Sequence, residues 1–104
     1  MTIDFKEGLR RYAALAIEIG VGLRPGQRLM ITDPRRAGIP LEIAPFVRQL
    51  VAQAYQAGAR LVDVIWRDDE IQRTRFLHAP RDSFEEWPEW QAKGLLEHFE
   101  QGGA

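Results

Sequence analysis

Twice in this chain a stretch with helical periodicity runs into a glycine and then into a β-rich run, and the same transition begins a third time at the carboxyl end. Tyr55, Gln56, Ala57 and Gly58 lead into Leu61 to Trp66, and Gly20 leads through a turn to Leu29. Phe99, Glu100, Gln101, Gly102, Gly103 and Ala104 start the pattern again with no β-run after them. A glycine just past a helix takes the left-handed conformation at little cost and turns the chain back toward a sheet. The repetition restricts the chain to alternating helix and strand, and we expect a sheet that is incomplete at the carboxyl end.

Residues 5–20 place Phe5, Leu9, Tyr12, Ala13, Ala16 and Ile17 at spacings of three and four, with Lys6, Arg10 and Glu18 on the other face. This predicts a first amphipathic helix. Pro25 and Gly26 suit the centre of a type II turn, because glycine accepts the positive φ required there. Residues 27–32 read as a first strand, and residues 33–40, with two prolines and a glycine, read as a loop. A second helix is predicted over residues 41–58 with Val47, Leu50, Val51, Ala54 and Tyr55 buried, and Pro45 is tolerated only in its first turn. Residues 61–66 are β-branched and aromatic and predict the second strand. Asp68 or Asp69 then caps a third helix through Ala79, ended by Pro80. A fourth helical stretch starts at Asp82 or Ser83, is interrupted or restarted at Pro88, and presents Phe84, Trp87, Trp90, Leu95, Leu96 and Phe99 as its apolar face.

The order helix, strand, helix, strand, helix, helix, with so long a crossover, implies a right-handed parallel pair. The expected class is therefore α/β, a partial three-layer sandwich of helices packed on a parallel sheet. Two strands bury too little by themselves, so further strands from missing sequence or from another copy are expected.

A chain of 104 residues supports one hydrophobic core, so residues 1–104 read as a single, partial domain. Its 45% hydrophobic and 28% charged residues belong to an ordinary globular protein. A formal net charge of −1 offers little long-range field for nucleic acid or an anionic membrane, and neither is an expected partner. There is no cysteine, which excludes disulfides, thiolate metal sites and a cysteine nucleophile. Asp4 and Glu7 lie within an amphipathic amino-terminal pattern rather than a signal peptide, and no run approaches the ~18 apolar residues that span a bilayer. A cytoplasmic protein is expected.

Few residues suggest chemistry. Gly20, Gly22 and Gly26 precede the first strand instead of joining a strand to a helix, so they do not make a nucleotide loop. Ligands in open α/β sheets bind at the carboxyl ends of the strands, which directs attention to Arg35 and Arg36 in one loop and to Asp68, Asp69 and Glu70 after the other strand. The three acids fit helix capping and the helix dipole better than metal binding or acid–base work, and the two arginines fit solvated surface better than an anion clamp. His78 and His98 lack the i, i+4 spacing of a zinc pair. His78 is placed to meet the carbonyls at a helix end. Ser83 has no glycine elbow and is not a candidate nucleophile. Trp66, Trp87 and Trp90 read as core packing ahead of ligand stacking.

The short motifs are more specific in combination. Leu9-x-x-Tyr12-Ala13-x-Leu15-Ala16, the turn PGQRLMIT, the segment VRQLVAQAYQAGARLVDVIWRDDE, the run RTRFLHAP and the stretch FEEWPEWQAKGL follow one another along nearly the whole chain. Together they resemble the amino-terminal region of the thermophilic metallo-aminopeptidases, the family of aminopeptidases S and T. The tract ITDPRRAGIPLEIAPFVR departs from that family by carrying a few extra residues between the first strand and the second helix. The resemblance implies a two-domain, dimeric exopeptidase that removes amino-terminal residues from peptides with two divalent metal ions, zinc, cobalt or similar. It also implies that the metal ligands and the catalytic carboxylate lie in a later part of a longer chain. No catalytic, cofactor or metal residue is therefore assigned in this sequence. Its expected role is to build the cleft wall and support a homo-oligomer. The alternative is a freestanding α/β binding or assembly module without catalytic activity.

Overall fold

The computed structural model describes residues 5–33, 36–86 and 88–104. Pro34 and Arg35 of the first loop, Asp4 and Trp87 lie outside the described residues.

Helix α1 (Phe5–Leu15) is stapled on its exposed side by Glu7, whose carboxylate accepts from Arg10 at 2.6 and 2.9 Å and from Arg11 at 3.3 Å. The predicted helix does not continue to Gly20 as an α-helix. Residues Ala16–Val21 wind as a π-helix closed by the Gly22 N–H donating to the Ile17 carbonyl, and the left-handed residue is Gly22, two positions later than expected. Within this turn Ile17 is buried in the core, whereas Ile19 and Val21 are exposed.

The strands are shorter and more numerous than the sequence pattern suggests. Strand β1 (Arg28–Ile31) pairs in parallel with β3 (Leu61–Val64), and β2 (Ile39–Pro40) pairs in parallel with β4 (Trp66–Arg67). The expected loop over residues 33–40 thus ends in a strand. The two pairs form one interrupted ladder: the Ile65 N–H donates to the Ile31 carbonyl (3.0 Å), and the Ile65 carbonyl accepts from the Ile39 N–H (2.8 Å). Thr32, Asp33 and residues 36–38 stand outside this ladder.

Between the pairs runs α2 (Ala44–Gln56), preceded by a 3-10 turn at Leu41–Ile43, with Pro45 in its first turn where its missing N–H costs nothing. At its end the Gly58 N–H donates to Tyr55 and the Ala59 N–H to Ala54, each at 3.0 Å, with Gly58 at φ 97. This is the six-to-one and five-to-two pattern of a left-handed helix end. Helix α3 (Asp69–His78) and a 3-10 turn (Arg81–Glu85) follow, and α4 (Glu89–Glu100) restarts after Pro88. Helix α4 ends in the same way as α2, with Gly102 donating to Phe99, Gly103 donating to His98, and Gly102 at φ 80.

Ala104 then enters the sheet. Its N–H donates to the Arg28 carbonyl (2.8 Å) and its carbonyl accepts from the Met30 N–H (2.9 Å), on the side of β1 away from β3. The third helix-to-glycine transition therefore begins a strand pairing.

The result is α/β, with helices on both faces of a small parallel sheet. On one face α1, the π-helix and α2 enclose Ile17, Leu29 and Ala54, joined by Ile31, Leu50, Val62 and Ala104. On the other, α4 stands across a groove from Arg28, Met30 and Asp63, leaving Arg28 and Asp63 exposed. The Tyr12 and Phe46 rings meet at a tilt of 47° between α1 and α2, with centroids 5.5 Å apart. Several residues expected to be buried are exposed: Tyr55 (46%), Trp90 (72%), Leu96 (60%) and Phe99 (62%).

These layers close few side chains. Among the described residues only Ala13, Ile17, Leu29, Val47 and Ala54 form the buried apolar set. The Cα radius of gyration is 16.2 Å, against about 13 Å for a compact chain of this length. The accessible surface is 8024 Å², where a compact monomer of this mass exposes about 6,000 Å².

Candidate functional site

Ligands in this class of sheet bind beyond the carboxyl ends of the strands, and among the described residues there the hydrogen bonds are structural. In the loop after β1 the Asp33 carbonyl accepts from the Arg36 N–H (3.1 Å) and the Gly38 N–H (2.9 Å), so the loop closes on its own backbone. Gly38 is pressed against the neighbouring strand: a Cβ there would lie 2.8 Å from the Ile65 carbonyl oxygen. Arg67 fastens this loop, donating to the Gly38 carbonyl at 3.0 Å and to the Asp69 carboxylate at 3.1 Å from a side chain only 11% exposed. Arg36 is exposed.

The three acids after β4 divide between separate structural tasks. Asp68 accepts from the Glu70 N–H at 3.0 Å and caps α3. Asp69 pairs with Arg67, and Glu70 sits in the exposed first turn, where its charge complements the helix dipole. His78 lies exposed in the last turn of α3. Ser83 donates its hydroxyl to the Pro80 carbonyl at 2.6 Å, and its own carbonyl receives Arg75, whose guanidinium also lies 5.3 Å from the centre of the Phe84 ring.

His98 is the one buried polar side chain among the described residues, at 8% exposure. Its Nε2 is 2.8 Å from the Ala104 carbonyl. A carbonyl only accepts, so the proton is on Nε2. The ring is pressed against Gly103, where any Cβ would run into the imidazole. Beneath α4 lies a groove of about 380 Å³, lined by Arg28, Met30, Asp63, Trp90, Leu95 and His98 among others.

No group of three or more His, Asp or Glu side chains that could hold a metal ion exists among the described residues. Three of the donors near the strand ends and α4 are already engaged, since Asp68 caps a helix, Asp69 is neutralised by Arg67 and His98 holds a backbone carbonyl. The described residues therefore do not fit a pair of divalent metals. No helix of the described residues is long and apolar enough to cross a membrane.

Two residues escaped the sequence reading. Arg67 carried a usable signal, a cation directly before the acidic pair. Tyr55 appeared as one more apolar position, yet its hydroxyl accepts from the Val62 N–H at 3.0 Å.

The sequence of residues 5–104 matches the thermophilic metalloprotease (M29) family. The chain belongs to that family. It is 39% identical over 97% of its length to aminopeptidase AmpS of Bacillus subtilis, and 38% identical over 96% to aminopeptidase 2 of Geobacillus stearothermophilus. It is 37% identical over 96% of its length to aminopeptidase T of Thermus thermophilus. It spans 23% of the length of each of these relatives, in their amino-terminal region. The fold agrees: the structure of wild-type AmpT from Thermus thermophilus superposes with a TM-score of 0.83 at 36% identity, covering 96% of this chain and 24% of that one. The motifs quoted from the sequence are thus those of M29 peptidases.

Proposed function

We propose that this M29 chain is the amino-terminal α/β part of a metal-dependent aminopeptidase that removes amino-terminal residues from peptides. In this reading its own role is scaffold, cleft wall and support for a homo-oligomer, and a catalytic domain with two divalent metal ions lies elsewhere in a longer polypeptide. The observation that carries the reading is the asymmetry of coverage, nearly all of this chain against 23% of relatives named as aminopeptidases. The excess surface supports it. About 2,000 Å² more is exposed than a compact monomer of this mass leaves open, and Phe5, Tyr12, Leu15 and Ile19 stand out along α1 and the π-helix. Such an area is enough for a stable interface with more protein. The cysteine-free, near-neutral composition supports a cytoplasmic setting.

The test is the product of the intact reading frame. Purified, it should release amino-terminal residues from peptides in a metal-dependent manner and lose that activity to a chelator, while the 104-residue chain with added zinc, cobalt or manganese should release none. Metal-dependent release by the 104-residue chain, lost on Asp68→Asn or Asp69→Asn, would overturn the assignment. A catalytically silent product that ends at Ala104 would favour the freestanding binding module.

A further inference from the structure

The β1–β3 sheet has two outer edges, and they are finished differently. On the β3 edge the Val62 N–H is taken by the Tyr55 hydroxyl, so α2 blocks the start of that edge. On β1 the odd-numbered residues turn their backbone groups to β3, since the carbonyls of Gln27 and Ile31 accept from Arg60 and Ile65. The alternation of a parallel ladder then directs the N–H and C=O of Arg28, Met30 and Thr32 to the opposite edge. Ala104 occupies the first of those positions through its paired bonds to the Arg28 carbonyl and the Met30 N–H. The next groups along the same edge are the Met30 carbonyl and the Thr32 N–H.

Three features hold Ala104 in this place. The left-handed Gly102 aims the chain at the sheet, Gly103 lets it pass against the His98 ring, and the His98 Nε2–H grips the Ala104 carbonyl from the α4 side. The Ala104 side chain packs with Ile17, Leu29 and Ala54. Side chains alternate along a strand, so a residue after Ala104 would project to the other face, where Met30, Trp90 and Leu95 line the groove under α4.

We propose that the outer edge of β1 is an acceptor for an extended apolar strand that continues parallel to β1 from Ala104, making β1 a central strand and seating the strand's first side chain in the groove under α4. The occupant is the stretch of polypeptide that follows Ala104 in a longer protein, and in this one respect the inference rests on the reading above. A second copy fits less well. Two-fold pairing would set the β1 edges antiparallel, and it would first have to displace Ala104.

The experiment extends the 104-residue chain by Val-Val-Ile-Val and follows amide hydrogen exchange at Thr32, with Ile31, which faces β3, as the internal reference. The extension should slow Thr32 exchange by about tenfold or more relative to Ile31. Two proline variants of the extension set the register. Proline as the second appended residue removes the N–H that the Met30 carbonyl would receive and should abolish the protection. Proline as the first appended residue, whose N–H points away from β1, should preserve it. Unchanged Thr32 exchange, equal behaviour of the two prolines, or protection that grows with protein concentration would overturn the proposal, the last by assigning the edge to a second copy. These outcomes are independent of catalysis, so an inactive full-length product would reject the peptidase reading without touching this one.

Discussion

Gly58 and Gly22 both have positive φ, at 97 and 65, but only one has a neighbour in the way of a side chain. An added Cβ at Gly22 meets nothing within 4 Å, whereas at Gly58 it would lie 3.1 Å from both Cα and Cβ of Pro25. Carbon atoms prefer about 3.5–4.0 Å. Relief is difficult, because the Pro25 turn is tied to Gly58 itself by the Gly26 N–H donating to the Gly58 carbonyl at 2.7 Å. Alanine at either site incurs the left-handed penalty of about 1–2 kcal/mol, and overpacking at Gly58 adds about 1 kcal/mol. Both substitutions remove the same backbone freedom from the unfolded chain, so their difference isolates the contact with Pro25. We expect Gly58→Ala to lose about 2–3 kcal/mol, a fall in Tm of about 10–20 °C, and Gly22→Ala to lose about 1 kcal/mol less. Urea unfolding followed by far-UV circular dichroism, with m held constant, measures both. A Gly58→Ala loss no greater than that of Gly22→Ala would refute the steric argument and leave backbone conformation as the whole effect.

Asp68→Ala should cost about 1 kcal/mol through loss of the α3 cap, and Asp68→Asn should recover most of it. Equal losses in the two variants would assign the effect to charge instead of the hydrogen bond. The hydrogen bonds from Arg10, with its positive charge and that of Arg11, hold the Glu7 carboxyl at about 2, well below its ordinary 4.5. A depressed carboxylate stabilises the fold above its unfolded value, and that contribution is lost as pH falls from 4.5 toward 2. Thermal melts should therefore favour wild type over Glu7→Gln at pH 6, with the gap closing by pH 2 and narrowing in 1 M salt because the pair is exposed. An unchanged gap at pH 2 would show that Glu7 acts by packing.

What could be read from the sequence is what local chemistry determines. The helix ends at Gly58 and Gly102, the Asp68 cap and the first-turn Pro45 each depend on a few adjacent residues, and each is found in place. The π-helix is hidden in the sequence because Ala16 and Ile17 continue the apolar spacing of α1, and that spacing does not distinguish the two windings. Strands β2 and β4 are two residues long and exist through pairing across the chain, which no local pattern encodes. The bond from Arg67 to the Gly38 carbonyl has the same origin, with its partner 29 residues away in sequence, whereas the pairing of Arg67 with Asp69 is local. Trp90 followed the apolar stripe of α4, yet the layer it faces leaves it 72% exposed.

The loop between Ile31 and Ile39 is anchored at both ends by the two backbone groups of a single residue, Ile65. Provided glycine stays at position 38, where a Cβ would meet the Ile65 carbonyl, the pairing of Ile31 and Ile39 with Ile65 does not itself fix the number of residues between them. Doubling the length of such a loop costs only about 0.6 kcal/mol in closure entropy. The segment before Gly38 is thus a port in the architecture, a position at which a foreign peptide can be spliced while the layers on either side stay as they are.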